Sequence, residues 1–155
     1  MDLVSELEKY AALCTPRLTV VFANIFEANT LIDDIPQDQY PVLVVFPIVI
    51  EDTLKTSGAW GSLASVTGFT LLKKQEEQTT DDLTVKELEA SAVIPMRKLT
   101  RQLVGKLNTS DLVDKETRGV TTVNYTPAYG EMDQHLHGTA WNFDIPLNEG
   151  STCQV

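Results

Sequence analysis

The chain has 155 residues, of which 43% are apolar and 22% charged, and a formal net charge of −10. This length suits a single domain with a sizeable core, and the composition excludes a disordered chain, which combines low hydrophobicity with high net charge. The negative charge repels a phosphate backbone and no basic stretch with interleaved aromatics offsets it, so sequence-specific nucleic-acid binding is not expected.

The amino end, Met1-Asp2-Leu3-Val4-Ser5-Glu6, lacks the positive start and apolar run of a secretory signal, which predicts synthesis in a cytosol. Asp2 to Leu13 places Leu3, Leu7, Tyr10, Ala11 and Cys14 at helical spacing, with Asp2 as N-cap and Pro16 past the end. The β-branched and aromatic content of Leu18 to Phe26 predicts a strand, and the acidic stretch Glu27 to Gln39, with Pro36, predicts a loop.

Tyr40 to Ile50 is an almost unbroken apolar run. It is about half of the ~20 residues that a membrane-spanning helix needs, and its β-branched content predicts a strand buried on both faces near the sheet centre. Pro47 cannot donate to a ladder, so a bulge is expected there. Glu51 to Ser62, with Gly58, Trp60 and Gly61, reads as a turn-rich excursion, and Val66 to Lys74 as the returning strand of a long hairpin.

From Asp82 to Leu107 a helical stripe runs through Val85, Leu88, Ala92, Met96, Leu99, Leu103 and Leu107. Acidic residues lie early along it, and Arg97, Lys98, Arg101 and Lys106 lie late, as the helix dipole favours. Pro95 removes an internal hydrogen bond, so a kink or two abutting helices are expected at Ser91 to Pro95. Thr109 to Gly119 reads as a polar linker, Val120 to Thr126 as a strand and Pro127 to Gln134 as a loop. His135 to Leu147 closes the chain as a strand with Thr139, Trp141, Phe143 and Ile145 on one face.

The predicted fold is thus one α+β domain over residues 1–147, with a mobile tail at 148–155. Its mainly antiparallel sheet of about five strands carries an N-terminal helix and one long, kinked helix.

Little of the chain suggests chemistry. Asp133-x-His135-x-His137 puts two imidazoles and a carboxylate on one side of a strand, but the chain has no other histidine and the ligand count for zinc falls short. Cys14 and Cys153 are too few and too distant for a zinc pattern or disulfide framework, so free thiols are expected. No Gly-x-Ser-x-Gly elbow is present, and Gly58-Ala59-Trp60-Gly61 joins two strands, which does not make a phosphate cradle. Glu27, Asp33, Asp34 and Asp38 do not have the spacing of a calcium loop. No enzyme, metal or cofactor is therefore predicted. Trp60 is the candidate anchor of a protein contact, and the cations Arg97, Lys98 and Arg101 are candidates to meet an acidic surface of a neighbouring subunit.

The layout of Asp2 to Cys14, Tyr40-Pro41-Val42-Leu43-Val44-Val45, Leu83 to Leu107, and His137-Gly138-Thr139-Ala140-Trp141-Asn142-Phe143-Asp144-Ile145 resembles the tail terminator and tail-completion (neck) proteins of tailed bacteriophages. The resemblance covers most of the chain as an order of elements and carries no invariant motif. It implies a homo-oligomeric ring, usually of six subunits, that ends tail-tube polymerisation and joins tail to head. Its partners would be its own copies, tube and neck proteins, and its place the virion. The competing readings are an acidic adaptor, in which Trp60 and the loop 27–39 meet a basic partner, and a metal-dependent enzyme on Asp133, His135 and His137.

Overall fold

A computed structural model describes residues 2–54, 56–73, 84–130 and 135–148. The fold is α+β, with six strands in one mostly antiparallel sheet among these residues. Helix α1, Leu3–Ala12, starts where the Asp2 carboxylate accepts the Ser5 N–H at 2.7 Å, as the N-cap reading predicts. Leu3, Leu7 and Ala11 form its buried stripe, which Cys14 extends past its end.

Strand β1, Thr19–Phe22, ends four residues before the strand predicted over Leu18 to Phe26. Beyond it, helix α2, Ile25–Asp33, occupies much of the stretch read as the loop 27–39. The cause is local: Asn24 Oδ1 accepts the Glu27 N–H at 2.9 Å, which caps a helix start. Ala28 and Ile32, four apart, then seat α2 on the sheet. Because β1 and β2 (Val42–Val45) are parallel, the chain needs a crossover between them, and α2 lies in it.

The apolar run 40–50 is divided between β2 and β3, Val49–Leu54. Both lie along β4, Trp60–Lys73, in antiparallel register. Val45 pairs Gly68 and Val49 pairs Ser65, so the three residues 46–48 face only two, 66 and 67. One residue is extra around Pro47, the bulge predicted there. Burial on both faces holds for β2 alone, since every residue of β3 is exposed. The excursion predicted over Glu51 to Ser62 shrinks accordingly, because β3 runs to Leu54 and β4 starts at Trp60.

The sheet order is β1-β2-β4-β6-β5, with β3 beside the first half of β4. Strand β6, Leu136–Leu147, pairs β4 from Lys73 to Ser62 and with it forms the spine of the domain. Thr139, Trp141, Phe143 and Ile145 are buried on one face of β6, as their alternation predicts. Strand β5, Val123–Tyr129, lies three residues later than the strand read over Val120 to Thr126. Pro127 is tolerated inside it because β5 pairs only β6 and is an edge.

The long helix begins at Thr84, whose side chain and that of Glu87 cap each other's backbone N–H groups. The predicted start at Asp82 lies outside the described residues. Helix α3, Val85–Leu88, passes through a π-helical turn, Glu89–Val93, into α4, Ile94–Leu107. The irregularity predicted at Ser91 to Pro95 is this wider turn. It sets Pro95 in the first turn of α4, where a missing N–H is tolerated. The predicted stripe is buried from Leu88 to Leu107, but Val85 is 62% exposed because it stands in the first turn, ahead of the packed length.

Helices α1 and α4 share one face of the sheet, in a core with Leu43, Val66, Trp141, Phe143 and Ile145. Helix α2 covers part of the other face, over Val42, Val44 and Leu71. A buried chain of hydrogen bonds fixes α4 to the spine. Trp141 Nε1–H donates to Thr70 Oγ1 at 2.9 Å, and Thr100 donates to the Met96 carbonyl at 2.8 Å. The 2.6 Å contact between the two threonines therefore has Thr70 as donor. Gly68 lies under the Trp141 ring and against the Val44 carbonyl, where a Cβ would collide with both.

The predicted linker 109–119 is packed, with Leu112 and Val113 in the core and Val113 bridged to Leu147. Within it, Ser110 Oγ donates to the buried Glu6 carboxylate of α1 at 2.6 Å. Asn148, the first residue of the predicted tail, is held by its N–H to the Leu112 carbonyl at 2.9 Å. Residues 149–155 lie outside the described residues.

Candidate functional site

Strand β3 and the start of β4 form an arm that belongs to neither core. Ile50, Asp52 and Leu54 pair Ala64, Ser62 and Trp60, so these six side chains share the face that carries α1 and α4 elsewhere. On this face Ile50 is 40%, Leu54 59% and Trp60 55% exposed. Val49, on the opposite face, is also exposed. Asp52 accepts the Ser62 hydroxyl at 2.6 Å across the arm, and Glu51 projects from its other face. The outer edge of β3 has no strand partner among the described residues. Trp60, read as part of a turn-rich excursion, thus opens a strand, where its backbone is held in register opposite Leu54.

The three basic candidates do not act as one patch. Arg97 and Arg101 are exposed one turn apart on α4 and reach toward β5, where their positive charge acts on the Tyr125 phenol. Burial is the larger effect on that phenol and raises its pKa above the ordinary value, while the two guanidinium groups oppose the rise. Lys98 is also exposed but lines a different groove of about 340 Å³, with Thr15, Pro16, Pro41, Pro95 and Gln102. A 100° step per residue separates neighbours on a helix, which linear proximity conceals.

The remaining candidates are scattered. His137 is fully buried in β6 opposite Leu72, His135 is half-buried just before that strand, and Asp133 lies outside the described residues. Among the described residues no cluster of three or more His, Cys, Asp or Glu is arranged to hold a metal ion. Cys14 is buried, and its desolvation raises the thiol pKa despite Lys106 nearby, which suppresses the nucleophilic thiolate. Cys153 lies outside the described residues. No helix among them is long and apolar enough to cross a membrane.

The acidic stretch 27–39 is divided between α2, which bears Glu27, and the segment after it, where Asp34 and Asp38 are exposed. Helix α2 packs over Phe69 and Leu71, about ten residues along β4 from Trp60 and on the other face, so some ~30 Å separates them. Trp60 and the acidic segment therefore do not form one surface. Sequence reasoning missed the arm itself. Its signal was confined to the β-branched residues Val49, Ile50 and Thr53, and the adjacent Glu51 and Asp52 and the turn residues that follow masked it. No family model matches the chain, and a search of curated proteins finds no match either.

Proposed function

We propose that this chain is a structural virion protein that assembles into a ring at the end of the tail tube or in the neck, ending tube polymerisation and joining tail to head. The observation that carries the reading is the β3–β4 arm, which exposes Val49, Ile50, Leu54 and Trp60 on an open sheet edge. An exposed apolar edge strand invites pairing or aggregation unless another chain covers it, so its retention fits a subunit whose working state is assembled. A contact between unlike surfaces of identical copies closes into a ring when its rotation permits. The implied number of six and the tube and neck partners come from the resemblance in element order.

The test is the mass of the purified protein in solution, alone and with tail-tube subunits encoded in the same genome. A ring of defined mass, or a complex with those subunits, is the expected result. A strict monomer without affinity for any tail component overturns the reading. The adaptor alternative is less favoured, since its two contact elements lie on opposite faces of the sheet.

A further inference from the structure

We infer that copies of this chain join head to tail, with the acidic outer strand β3 of one copy against the Arg97–Arg101 flank of α4, beside β5, in the next. The inference rests on the ring reading for its partner, a second copy, and adds which surfaces meet.

Glu51 and Asp52 are exposed on a strand whose outer edge has no strand partner among the described residues. Arg97 and Arg101 are exposed in a chain of net charge −10, yet neither forms an ion pair or hydrogen bond among the described residues. The Tyr125 hydroxyl, the polar group their charges reach, is buried without a hydrogen-bond partner among the described residues, so it does not occupy their donors. Guanidinium groups are suited to two-pronged recognition of carboxylates, which Asp52 and Glu51 present on the two faces of β3.

The two surfaces cannot satisfy each other within one copy. From β3 the sheet runs through β4 and β6 to β5, three strand spacings or about 14 Å. Tyr125 pairs Trp141, which pairs Gly68, whereas Asp52 pairs Ser62, an offset along the strands of about six residues or ~20 Å. The combined separation far exceeds the screening length of about 8 Å at physiological ionic strength. Strands β3 and β5 also border opposite sides of the sheet. A contact between them is therefore between unlike surfaces, leaves one of each open on every pair, and continues by rotation. The exposed Ile50, Leu54 and Trp60 flank Asp52 on the arm and supply the apolar part of the contact.

The experiment compares the wild-type chain with R97E/R101E, with E51R/D52R and with an equimolar mixture of the two variants. Sedimentation is followed at low and high salt, with and without tail-tube subunits, and circular dichroism checks each fold. Each variant alone is expected to weaken self-association by about tenfold or more, and the wild-type association to weaken with salt. The mixture restores assembly, because each acidic surface then finds a basic one. Wild-type assembly by either variant alone, or failure of the mixture, overturns this interface while a ring formed by the wild type keeps the ring reading standing. A wild-type chain that never associates, with itself or with tube subunits, removes both.

Discussion

The two ends of strand β4 differ in burial, although one continuous strand joins them. From Ala64 to Leu71 the strand lies between β2 and β6 for much of its length, with α1 and α4 on one face and α2 over part of the other. From Trp60 to Leu63 it is still paired, by β3 throughout and by β6 as well at Ser62 and Leu63, yet Trp60 is exposed and the next three residues are only half-buried. Backbone pairing alone therefore does not bury a strand. Burial is decided by what lies above and below the sheet, and among the described residues the core clusters that hold α1, α2 and α4 stop short of the arm.

Substitutions at the two ends should consequently separate stability from assembly. Leu103→Ala, in the fully buried stripe of α4, should destabilise the domain most, by about 2–5 kcal/mol in chemical denaturation, because the transfer loss and the cavity add. A loss below ~1 kcal/mol would mean that the helix face is loosely packed and the contrast between the two ends overstated. Thr70→Val should cost about 1–3 kcal/mol, since it strands the buried Trp141 N–H and breaks the chain to Thr100. Trp141 fluorescence should respond in the same variant. At the other end of the strand, Trp60→Ala should change the stability of the isolated chain by no more than about 0.5 kcal/mol while reducing assembly. If it destabilises the monomer as strongly as Thr70→Val, the arm belongs to the core and is not a contact surface.

Local signals carried much of the fold. Asp2 caps α1, the stripe from Leu88 to Leu107 lies on the sheet, and the alternation in β6 places Trp141 and Phe143 inside. Pro47 and Pro95 each mark an irregularity, a bulge and a π turn, because a missing N–H is a local fact wherever the residue ends up. Helix α2 was also encoded locally, in Asn24 and Glu27, but β-branched neighbours on both sides of Asn24 outweighed the cap. The candidate contact surface was legible in pieces only. Trp60 and the cations stand out as residue types, whereas the open edge that makes Glu51 and Asp52 accessible depends on strand order.

By itself the sequence determined the charge, the helix caps, the apolar periodicities and the proline irregularities, since each follows from covalent chemistry within a few residues. Tertiary structure alone decided that one half of the apolar run 40–50 is buried and the other exposed, for that depends on helices remote in sequence. It also decided that Arg97 and Arg101 turn toward β5 while Lys98 turns to another groove, and that the acidic and basic surfaces stand too far apart to meet in one chain. Distance in space between residues distant in sequence is set by how the sheet is ordered, and no local pattern encodes that order.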